Sequence, residues 1–191
     1  MCGRYSLYSK KKIIERFGFE IIPNYNIAPG NKVLVLDDKL SLRNILWGIN
    51  HTWLKNKMLI NARLESINNS SFYSDYNKCV FIADGYFEWK KNKKEKIPYF
   101  HYLKNNLIFM AGLYTNTHAV IITIPSNKNI SHIHDRQPLI IKEKHLYDWL
   151  KKRKIVPVDS DSINYYKISN KINSPKNNNK DLLMKINLFF L

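Results

Sequence analysis

The sequence predicts a single α+β domain over residues 1–191, built mostly from antiparallel strands in a barrel-like sheet with a few peripheral helices. Hydrophobic residues make up 45% and aromatic residues 13% of the chain, which excludes a disordered protein. Most apolar segments are short and strand-like, and only two show helical spacing. A chain of this length buries roughly 70% of its unfolded surface, so it needs no disulfide or metal to fold.

Two segments are predicted to be helical. Residues 10–17 form a short amphipathic pattern that ends near Gly18. Residues 142–152 carry apolar side chains at 146, 149 and 150, which lie on one face of a helix. The polar segment from about residue 173 is predicted to be loop-like.

The strand predictions rest on apolar runs separated by turn residues. Residues 32–38 and 40–49 are predicted to pair around a tight turn, and 79–90 to be one strand segment broken at Asp84-Gly85. Residues 98–103 and 107–114 are predicted to form a hairpin. The nearly continuous apolar run 118–125 predicts a strand that is covered on both faces.

The net charge is strongly positive, since 31 Lys and Arg face 15 Asp and Glu for a formal charge of +16. Such a surplus favours a polyanionic partner, nucleic acid first and an anionic membrane surface second. The alternative is that the lysines simply solvate the surface. No apolar run approaches the roughly 20 residues of a membrane-spanning helix. The N-terminus lacks the apolar core of a secretory signal. We therefore expect a cytoplasmic protein with no membrane association.

The two cysteines, Cys2 and Cys79, are too few for a secreted disulfide framework. The sequence contains no CxxC or clustered Cys/His spacing typical of zinc. We therefore expect no metal and no cofactor. In a reducing compartment, an unusually placed cysteine is a candidate for chemistry.

Cys2 is such a residue, because removal of the initiator methionine would give it a free α-amine beside its thiol. The amine has an ordinary pKa near 8, so a useful fraction is neutral at physiological pH. An aldehyde could form an imine with this amine, and the thiol could then close a five-membered thiazolidine ring. The alternative is a small residue that merely begins a strand.

Glu88 and His134 are the candidate proton-transfer groups. Glu88 follows Tyr86 and Phe87 and precedes Trp89, so apolar surroundings are expected to raise its pKa. His134 has a side chain that is easily tuned for proton transfer at neutral pH, and His132 lies on the same side if the segment is a strand. A solvent-facing glutamate and a structural histidine are the alternatives.

Other polar and aromatic residues suit a nucleic-acid ligand. Arg63 and Arg136 could each clamp a phosphate, and Asn61 offers both a donor and an acceptor for a sugar. Surface salt bridges are the alternative for the arginines. Candidate stacking platforms for unpaired bases are Tyr5, Trp47, Trp53, Phe87 and Trp89, although burial in the core is the commoner fate of aromatic residues.

Several ordered motifs together resemble the SRAP family, the SOS-response-associated peptidase-like proteins that process abasic sites in single-stranded DNA. The resemblance covers roughly residues 2–150. The motifs that carry it are Met1-Cys2-Gly3-Arg4-Tyr5, Tyr25-Asn26-Ile27-Ala28-Pro29, Trp47-Gly48-Ile49, Asn61-Ala62-Arg63-x-Glu65, Cys79, Ala83-Asp84-Gly85-Tyr86-Phe87-Glu88-Trp89, Pro98-Tyr99, Ala111-Gly112-Leu113-Tyr114 and His134-x-Arg136-x-Pro138.

The resemblance implies an enzyme that cross-links to abasic sites through a thiazolidine and so shields the lesion. It implies loss of Met1 by autoproteolysis, with Cys2 as the nucleophile. It places Asn61 and Arg63 at the abasic sugar and its flanking phosphates. It also implies that Glu88 is the family's catalytic glutamate, and that His134 opens the sugar ring and supports elimination or reversal.

Further expectations concern DNA contacts and partners. The resemblance assigns Arg4 and Arg136 to the DNA backbone, and we expect Trp47 to contact bases. The expected partner is single-stranded DNA with abasic sites, and replication-fork proteins are candidates for recruitment. We expect a monomer without a cofactor, associated with the nucleoid, or nuclear if the source is eukaryotic.

The sequence departs from the family pattern at three places: Gln137 replaces the usual Met, Ser66 the usual Thr, and Ile49-Asn50-His51-Thr52-Trp53 lacks the usual Pro. These differences affect base stacking and strand geometry more than the cross-linking groups. Two alternative functions stay open. One is a cysteine peptidase or amidase with Cys2 as nucleophile and His134 as base. The other is a non-covalent single-stranded nucleic-acid binder.

Overall fold

The computed structural model describes residues 2–50, 57–67, 69–92, 95–151, 157–158 and 162–186. These residues form a mostly antiparallel β-structure with few helices, which confirms the predicted α+β class. The strands are β1 (Tyr5–Leu7), β2 (Asn24–Ile27), β3 (Lys32–Leu36), β4 (Leu42–Trp47), β5 (Ile49–Asn50), β6 (Met58–Leu59), β7 (Asn61–Arg63), β8 (Asn77–Ala83), β9 (Gly85–Lys91), β10 (Lys96–Leu103), β11 (Ile108–Tyr114), β12 (His118–Pro125), β13 (Arg136–Pro138) and β14 (Ile163–Lys167). The helices are α1 (Lys10–Phe17), α2 (Leu64–Ile67) and α3 (Leu146–Leu150), with 3₁₀ helices at Ser71–Tyr73, Glu143–His145, Asn170–Asn173 and Lys180–Leu183. No helix among the described residues is long and apolar enough to cross a membrane.

Five strands close into a barrel in the order β11-β8-β3-β4-β12, because β11 also pairs with β12. Neighbouring strands are antiparallel except for β4 and β12, which are parallel. Large side chains on the strands of the barrel, such as Trp47, Phe81, Ile82 and Ile121, are fully buried. The apolar run 118–125 becomes β12, whose central residues are buried throughout, as predicted.

A second sheet packs beside the barrel in the order β14-β10-β9-β1-β2. The far end of β12 also holds two short strands, with β7 parallel on one side and β13 antiparallel on the other. The strands β1, β7, β9 and β13 thereby meet near the junction of the two sheets. All four strands matter for the site described below.

One long β-ribbon passes through both sheets, and it overturns the predicted hairpin between 98–103 and 107–114. Strands β8 and β9 run along one side, and β10 and β11 pair with them from the other. Residues 104–106 therefore form an excursion in the ribbon, where an isolated bridge joins Leu103 to Asn106. Pairing with 77–91 satisfies the backbone of both segments over their whole length, which a hairpin of the two would prevent.

The predicted break at Asp84-Gly85 is confirmed. The Asp84 carboxylate and the absence of a side chain at Gly85 together explain it. The Asp84 carboxylate accepts hydrogen bonds from the backbone amides of Tyr8 (2.6 Å) and Ser9 (2.8 Å), so it anchors the chain that follows β1. A Cβ at Gly85 would lie 2.2 Å from the Phe100 ring and 2.6 Å from the His101 carbonyl oxygen. Only glycine allows the two strands to approach this closely.

The other predicted elements agree with the structure in outline. Helix α1 ends at Gly18, which adopts the left-handed conformation with φ of 63°. Strands β3 and β4 form the predicted tight pair, and the Asp37 carboxylate accepts the amides of Lys39 and Ser41 in the turn. The predicted helix at 142–152 is a 3₁₀ turn followed by α3, which ends at residue 150.

The segment after residue 173 is loop-like as far as residue 186, as predicted, apart from the 3₁₀ helix Lys180–Leu183. Strand β14 and the 3₁₀ helix Asn170–Asn173 precede it, and Ile172 and Leu182 pack with Phe87 and Phe100. The polar composition of this segment hides a few well-placed apolar residues. They cover the outer face of the second sheet, which would otherwise expose aromatic side chains to water.

Asn26 fastens this C-terminal segment to β2. Its side-chain amide donates to the carbonyl oxygens of Ser174 (3.0 Å) and Asn177 (2.8 Å), and its Oδ1 accepts from Arg4 Nη1 (2.7 Å). Asn26 is only 3% exposed, so these groups have little access to water. One buried amide thus connects the N-terminal segment to the end of the fold.

We expect Asn26→Ala to lower the free energy of unfolding by roughly 2 to 3 kcal/mol, because it leaves buried donors and acceptors without partners. Urea denaturation with an unchanged m-value measures this loss. The matched control is Asn178→Ala, which removes the exposed acceptor of the Tyr25 amide and should cost less than about 1 kcal/mol. Equal effects of the two substitutions would contradict the anchoring role of Asn26.

Candidate active site

The four predicted catalytic residues come from four separate parts of the chain and lie together at the junction of the two sheets. Cys2 precedes β1, Asn61 begins β7, Glu88 lies on β9, and His134 lies in the turn before β13. The Asn61 side-chain amide donates to the Cys2 carbonyl oxygen at 2.9 Å. Glu88 Oε2 lies 4.0 Å from His134 Nε2. Strand β1 brings the two pairs close, since the Phe87 amide donates to the Arg4 carbonyl oxygen at 2.9 Å.

Cys2 is fully buried. Burial raises the pKa of its thiol, and the nearby Glu88 carboxylate raises it further. The thiol makes a weak hydrogen bond to the Arg4 carbonyl oxygen at 3.9 Å. Cys2 therefore carries an S–H group at neutral pH, so its sulfur must lose a proton during any bond-forming step.

Glu88 is 4% exposed, and burial raises the pKa of its carboxyl group to about 7. At physiological pH the group is therefore close to half protonated. It can both donate and accept a proton there, as a general acid–base catalyst requires. The predicted effect of aromatic neighbours on Glu88 agrees with the structure.

His134 is oriented by the backbone. Its Nδ1 accepts from the Arg136 amide at 3.0 Å, and the same Nδ1 lies 2.9 Å from the Asp135 carboxylate. The second contact would need a proton on Nδ1. Because the amide can only donate and the Asp135 side chain is 86% exposed, we assign the proton to Nε2, which faces Glu88. Burial lowers the pKa of His134, so the ring is neutral at pH 7.

Asn61 is 7% exposed and is held rigidly from behind. The Ile60 carbonyl oxygen accepts hydrogen bonds from the Trp47 indole and the Ile121 amide, both at 3.1 Å. While Asn61 Nδ2 donates to Cys2, its Oδ1 has no hydrogen-bond partner among the described residues. A buried amide oxygen of this kind is a ready acceptor for a hydroxyl or amine of a bound ligand.

Gln137 holds the turn that carries His134. Its side-chain oxygen accepts from the Asn127 amide at 2.8 Å, and the Ser126 amide donates to the Asp135 carbonyl oxygen at 2.9 Å. These bonds close the loop over residues 126–137. At this departure from the family's usual Met, the buried Gln137 side chain therefore serves as a loop-closing acceptor.

The expected contact of Arg136 with DNA is not what the structure shows. Arg136 is 8% exposed, and its two terminal nitrogens bind Glu65 at 2.6 and 3.1 Å and the Thr123 carbonyl oxygen at 2.7 Å. It ties α2 to β12 and keeps β13 in place. The role of Glu65 was missed at the sequence level. The only signal was its place in the Asn-Ala-Arg-x-Glu motif, because its partner lies 71 residues away.

The expectation that Trp47 stacks on bases is wrong, because its side chain is fully buried in the barrel. Tyr5 and Phe87 are also fully buried and offer no surface to a base. Trp89 is half-buried and donates to the Asn173 side chain at 2.7 Å. Trp53 lies outside the described residues.

The two remaining arginines differ in their availability. Arg4 is half-buried, and its Nη1 is already bound to Asn26 and to the Ile172 carbonyl oxygen. Arg63 is exposed at the end of β7, two residues beyond Asn61. Of the arginines predicted to contact DNA, Arg63 is therefore the one whose side chain lies open to solvent.

Other places in the described structure lack this chemistry. No group of three or more His, Cys, Asp or Glu among the described residues could hold a metal ion. A cavity of about 680 Å³ lies between the 104–106 turn and the 3₁₀ helix Glu143–His145, and none of the four residues lines it. The cluster of Cys2, Asn61, Glu88 and His134 is where buried, titratable groups converge.

The chain is similar to several known proteins. The chain is 34% identical to "Abasic site processing protein YoaM" of Bacillus subtilis, over 96% of this chain and 97% of that protein. It is 32% identical to "Abasic site processing protein YedK" of Escherichia coli, over 80% of each. A solved structure of a Bacteroides thetaiotaomicron protein superposes with a TM-score of 0.82 over 97% of this chain and all of that one, at 20% identity, and shows the same fold.

The family model "SOS response associated peptidase (SRAP)" matches residues 1–175, which is nearly the whole chain. The match spans the four site residues and most of both sheets. The chain therefore belongs to the SRAP family.

Proposed function

We propose that the protein processes abasic sites in single-stranded DNA by forming a thiazolidine cross-link through Cys2, after Met1 has been removed. The names of the two relatives, both abasic site processing proteins, support an abasic-site substrate. The observation that carries the chemistry is the convergence of Cys2, held by Asn61, with the Glu88–His134 pair. Met1 itself lies outside the described residues, and its autoproteolytic removal is part of the proposal.

The first step is opening of the closed deoxyribose. A base removes the proton of the hydroxyl at C1′, an acid protonates the ring oxygen, and the C1′–ring oxygen bond breaks to give the aldehyde. His134 Nε2–H and Glu88 provide a donor and an acceptor 4.0 Å apart. The unpaired Oδ1 of Asn61 can accept a hydrogen bond from a sugar hydroxyl.

The second step joins the Cys2 amine to the aldehyde. The nitrogen attacks the carbonyl carbon, and the resulting carbinolamine loses water when Glu88 protonates its hydroxyl. The nitrogen then returns its remaining proton to the Glu88 carboxylate, which leaves a neutral imine. The thiol sulfur then bonds to the imine carbon, the C=N electron pair moves to nitrogen, and the thiol proton ends on that nitrogen. The sum is one water released and one thiazolidine ring formed.

The peptidase alternative has less support from the geometry. A thiol peptidase needs a thiolate activated by a neighbouring base. Burial raises the pKa of the Cys2 thiol instead, and His134 Nε2 faces Glu88. A protonated thiol suits a step in which the imine nitrogen takes up the proton.

Cys2→Ala, with Met1 still removed, should abolish the covalent adduct, because the ring cannot close without sulfur. The assay mixes protein with a single-stranded oligonucleotide that carries one abasic site and follows a heat-resistant band on a denaturing gel. Cys79→Ala is the matched control, since Cys79 is an equally buried cysteine in the barrel, and it should keep the adduct.

A heat-resistant adduct that persists in Cys2→Ala would contradict the proposal. If the wild-type protein, confirmed by intact mass to lack Met1, bound DNA without any heat-resistant band and without preference for the lesion, the non-covalent binder would replace it. Turnover of a peptide substrate without DNA would favour the peptidase.

Glu88→Gln should slow adduct formation by about 100-fold or more and change its pH dependence. In the wild type the acid form of Glu88, with its pKa of about 7, is lost as pH rises, while the Cys2 amine gains its neutral form. The rate should therefore pass through a maximum, and the variant should lose the alkaline decline. Single-turnover rates from about pH 6 to about pH 9 test this. Adduct reversal, measured by competition with excess abasic DNA, should also be slower in the variant. An unchanged pH profile of adduct formation and an unchanged rate of reversal would count against a proton-transfer role for Glu88.

Arg63→Ala should weaken DNA binding uniformly across sequences and reduce the salt dependence, because one phosphate contact is lost. For single strands the slope of log K against log salt should fall by about 0.7 per lost contact. Arg16→Ala is the matched control: Arg16 lies on α1, pairs with Glu143 at 3.2 Å, and should leave the slope unchanged. Equal slopes for Arg63→Ala and wild type would show that Arg63 does not contact a DNA phosphate.

A further inference from the structure

A line of aromatic rings leaves the site along the second sheet. Tyr86 on β9 pairs with His101 on β10, which pairs with Tyr165 on β14. Directly paired residues project from the same face of a sheet, so all three rings lie on one side. The rings of Tyr86 and His101 stack at 4.6 Å with an angle of 12°, and those of His101 and Tyr165 lie 5.8 Å apart. The line begins in the buried interior and ends at the surface.

The neighbouring row of paired residues on the same face of the sheet begins at Glu88. Glu88 pairs with Tyr99, which pairs with Lys167. Side chains two apart on β9 share a face, so Tyr86 and Glu88 project together. The face of the sheet that carries the catalytic glutamate therefore continues without a break to Tyr165 and Lys167.

Tyr165 is held on three sides and is 38% exposed. Besides His101, its ring contacts Tyr99 at 6.1 Å and His132 at 5.5 Å, with interplanar angles of 67° and 59°. These supports restrict the ring, so it would lose little conformational freedom when a flat ligand stacks on it. His132 is also exposed and contributes a second ring at the edge of this platform.

The platform of Tyr165 and His132 lies next to the catalytic groups. His132 is two residues before His134, in the turn that Gln137 closes. A ligand group on Tyr165 would therefore neighbour whatever occupies the space between His134 and Cys2. The charges nearby favour an anion, since Lys167 lies on this face and Lys91 is exposed at the end of β9. Burial is the main cause of the lowered pKa of His134, and the positive charge of Lys91 lowers it further.

We propose that Tyr165 and His132 form a stacking platform for the base of the nucleotide that adjoins the abasic site, with Lys91 and Lys167 close to its phosphates. The inference rests on the proposed function and extends it, because it assigns a subsite to a nucleotide beyond the lesion. A supported aromatic ring beside lysines is the combination that binds unpaired nucleotides, since every base has a face that can stack. Binding here would also position the strand so that the lesion enters the site.

The test is a double-mutant cycle between the protein ring and the DNA base. The probe is a single-stranded oligonucleotide with a tetrahydrofuran abasic analogue, which cannot open to an aldehyde and so reports binding alone. Two further oligonucleotides lack the base of either the 5′ or the 3′ neighbour. Fluorescence anisotropy gives the affinity of each for wild type, Tyr165→Ala and Tyr165→Leu, the last of which keeps apolar packing without a flat ring.

We expect wild type to lose about 5- to 100-fold in affinity when one particular neighbouring base is removed. Both Tyr165 variants should bind the complete oligonucleotide more weakly than wild type by a similar factor. Removal of that base should then cause no further loss of affinity in the variants. Tyr147→Ala, which removes an exposed tyrosine on α3, should behave as wild type.

The platform would be overturned if the Tyr165 variants bound the complete oligonucleotide as tightly as wild type does. It would also be overturned if the affinity lost by a Tyr165 variant added fully to the affinity lost on removal of either neighbouring base. Adduct formation by wild type on a natural abasic site is measured beside these experiments. If that adduct forms while the cycle shows no coupling, the platform fails and the proposed function stands. If no adduct forms, the proposed function fails on its own evidence, and coupling in the cycle would still assign the platform.

Discussion

The site depends on the hydrogen bonding of β1 between β2 and β9. This three-residue strand places the residues that precede it at the junction of the two sheets. The Phe87 amide donates to Arg4 and the Asp84 amide donates to Ser6, while the Asp84 carboxylate holds the amides that follow the strand. An N-terminal residue is ordinarily the most mobile part of a chain. Here β1 is hydrogen-bonded on both sides, so Cys2, three residues before it, has a defined position relative to Glu88.

Burial then decides the protonation states. The same apolar surroundings raise the pKa of the Cys2 thiol, raise that of Glu88 to about 7 and lower that of His134. Each shift favours the neutral form, as desolvation requires. The result is a neutral thiol, a neutral imidazole and a carboxyl group that is close to half protonated at physiological pH. Positive charge lies instead on exposed residues such as Arg63 and Lys91.

Several polar residues that suggested DNA contacts turn out to hold the scaffold. Arg136 binds Glu65 and Thr123, Arg4 binds Asn26, and Trp47 donates to the carbonyl oxygen before Asn61. Their side chains are suited to phosphates or bases, yet the same donors also bind the Glu65 carboxylate, the Asn26 amide oxygen and backbone carbonyl groups. These residues act one layer behind the site, and they fix the strands from which the reacting groups project.

The sequence by itself determined the fold class, the break at Asp84-Gly85, the β3–β4 turn and the four residues of the site, because these depend on local residue types or on ordered motifs. It paired the strands 98–103 and 107–114 with each other instead of with β9 and β8, and it assigned Trp47 and Arg136 to DNA although both side chains are buried. Pairing partners, side-chain exposure and the Tyr165–His132 contact depend on residues far apart in the chain. A linear pattern carries residue identity and period, whereas desolvation and strand register are set only when distant segments pack together. The tertiary structure alone therefore decided which polar groups face a ligand and which support the fold.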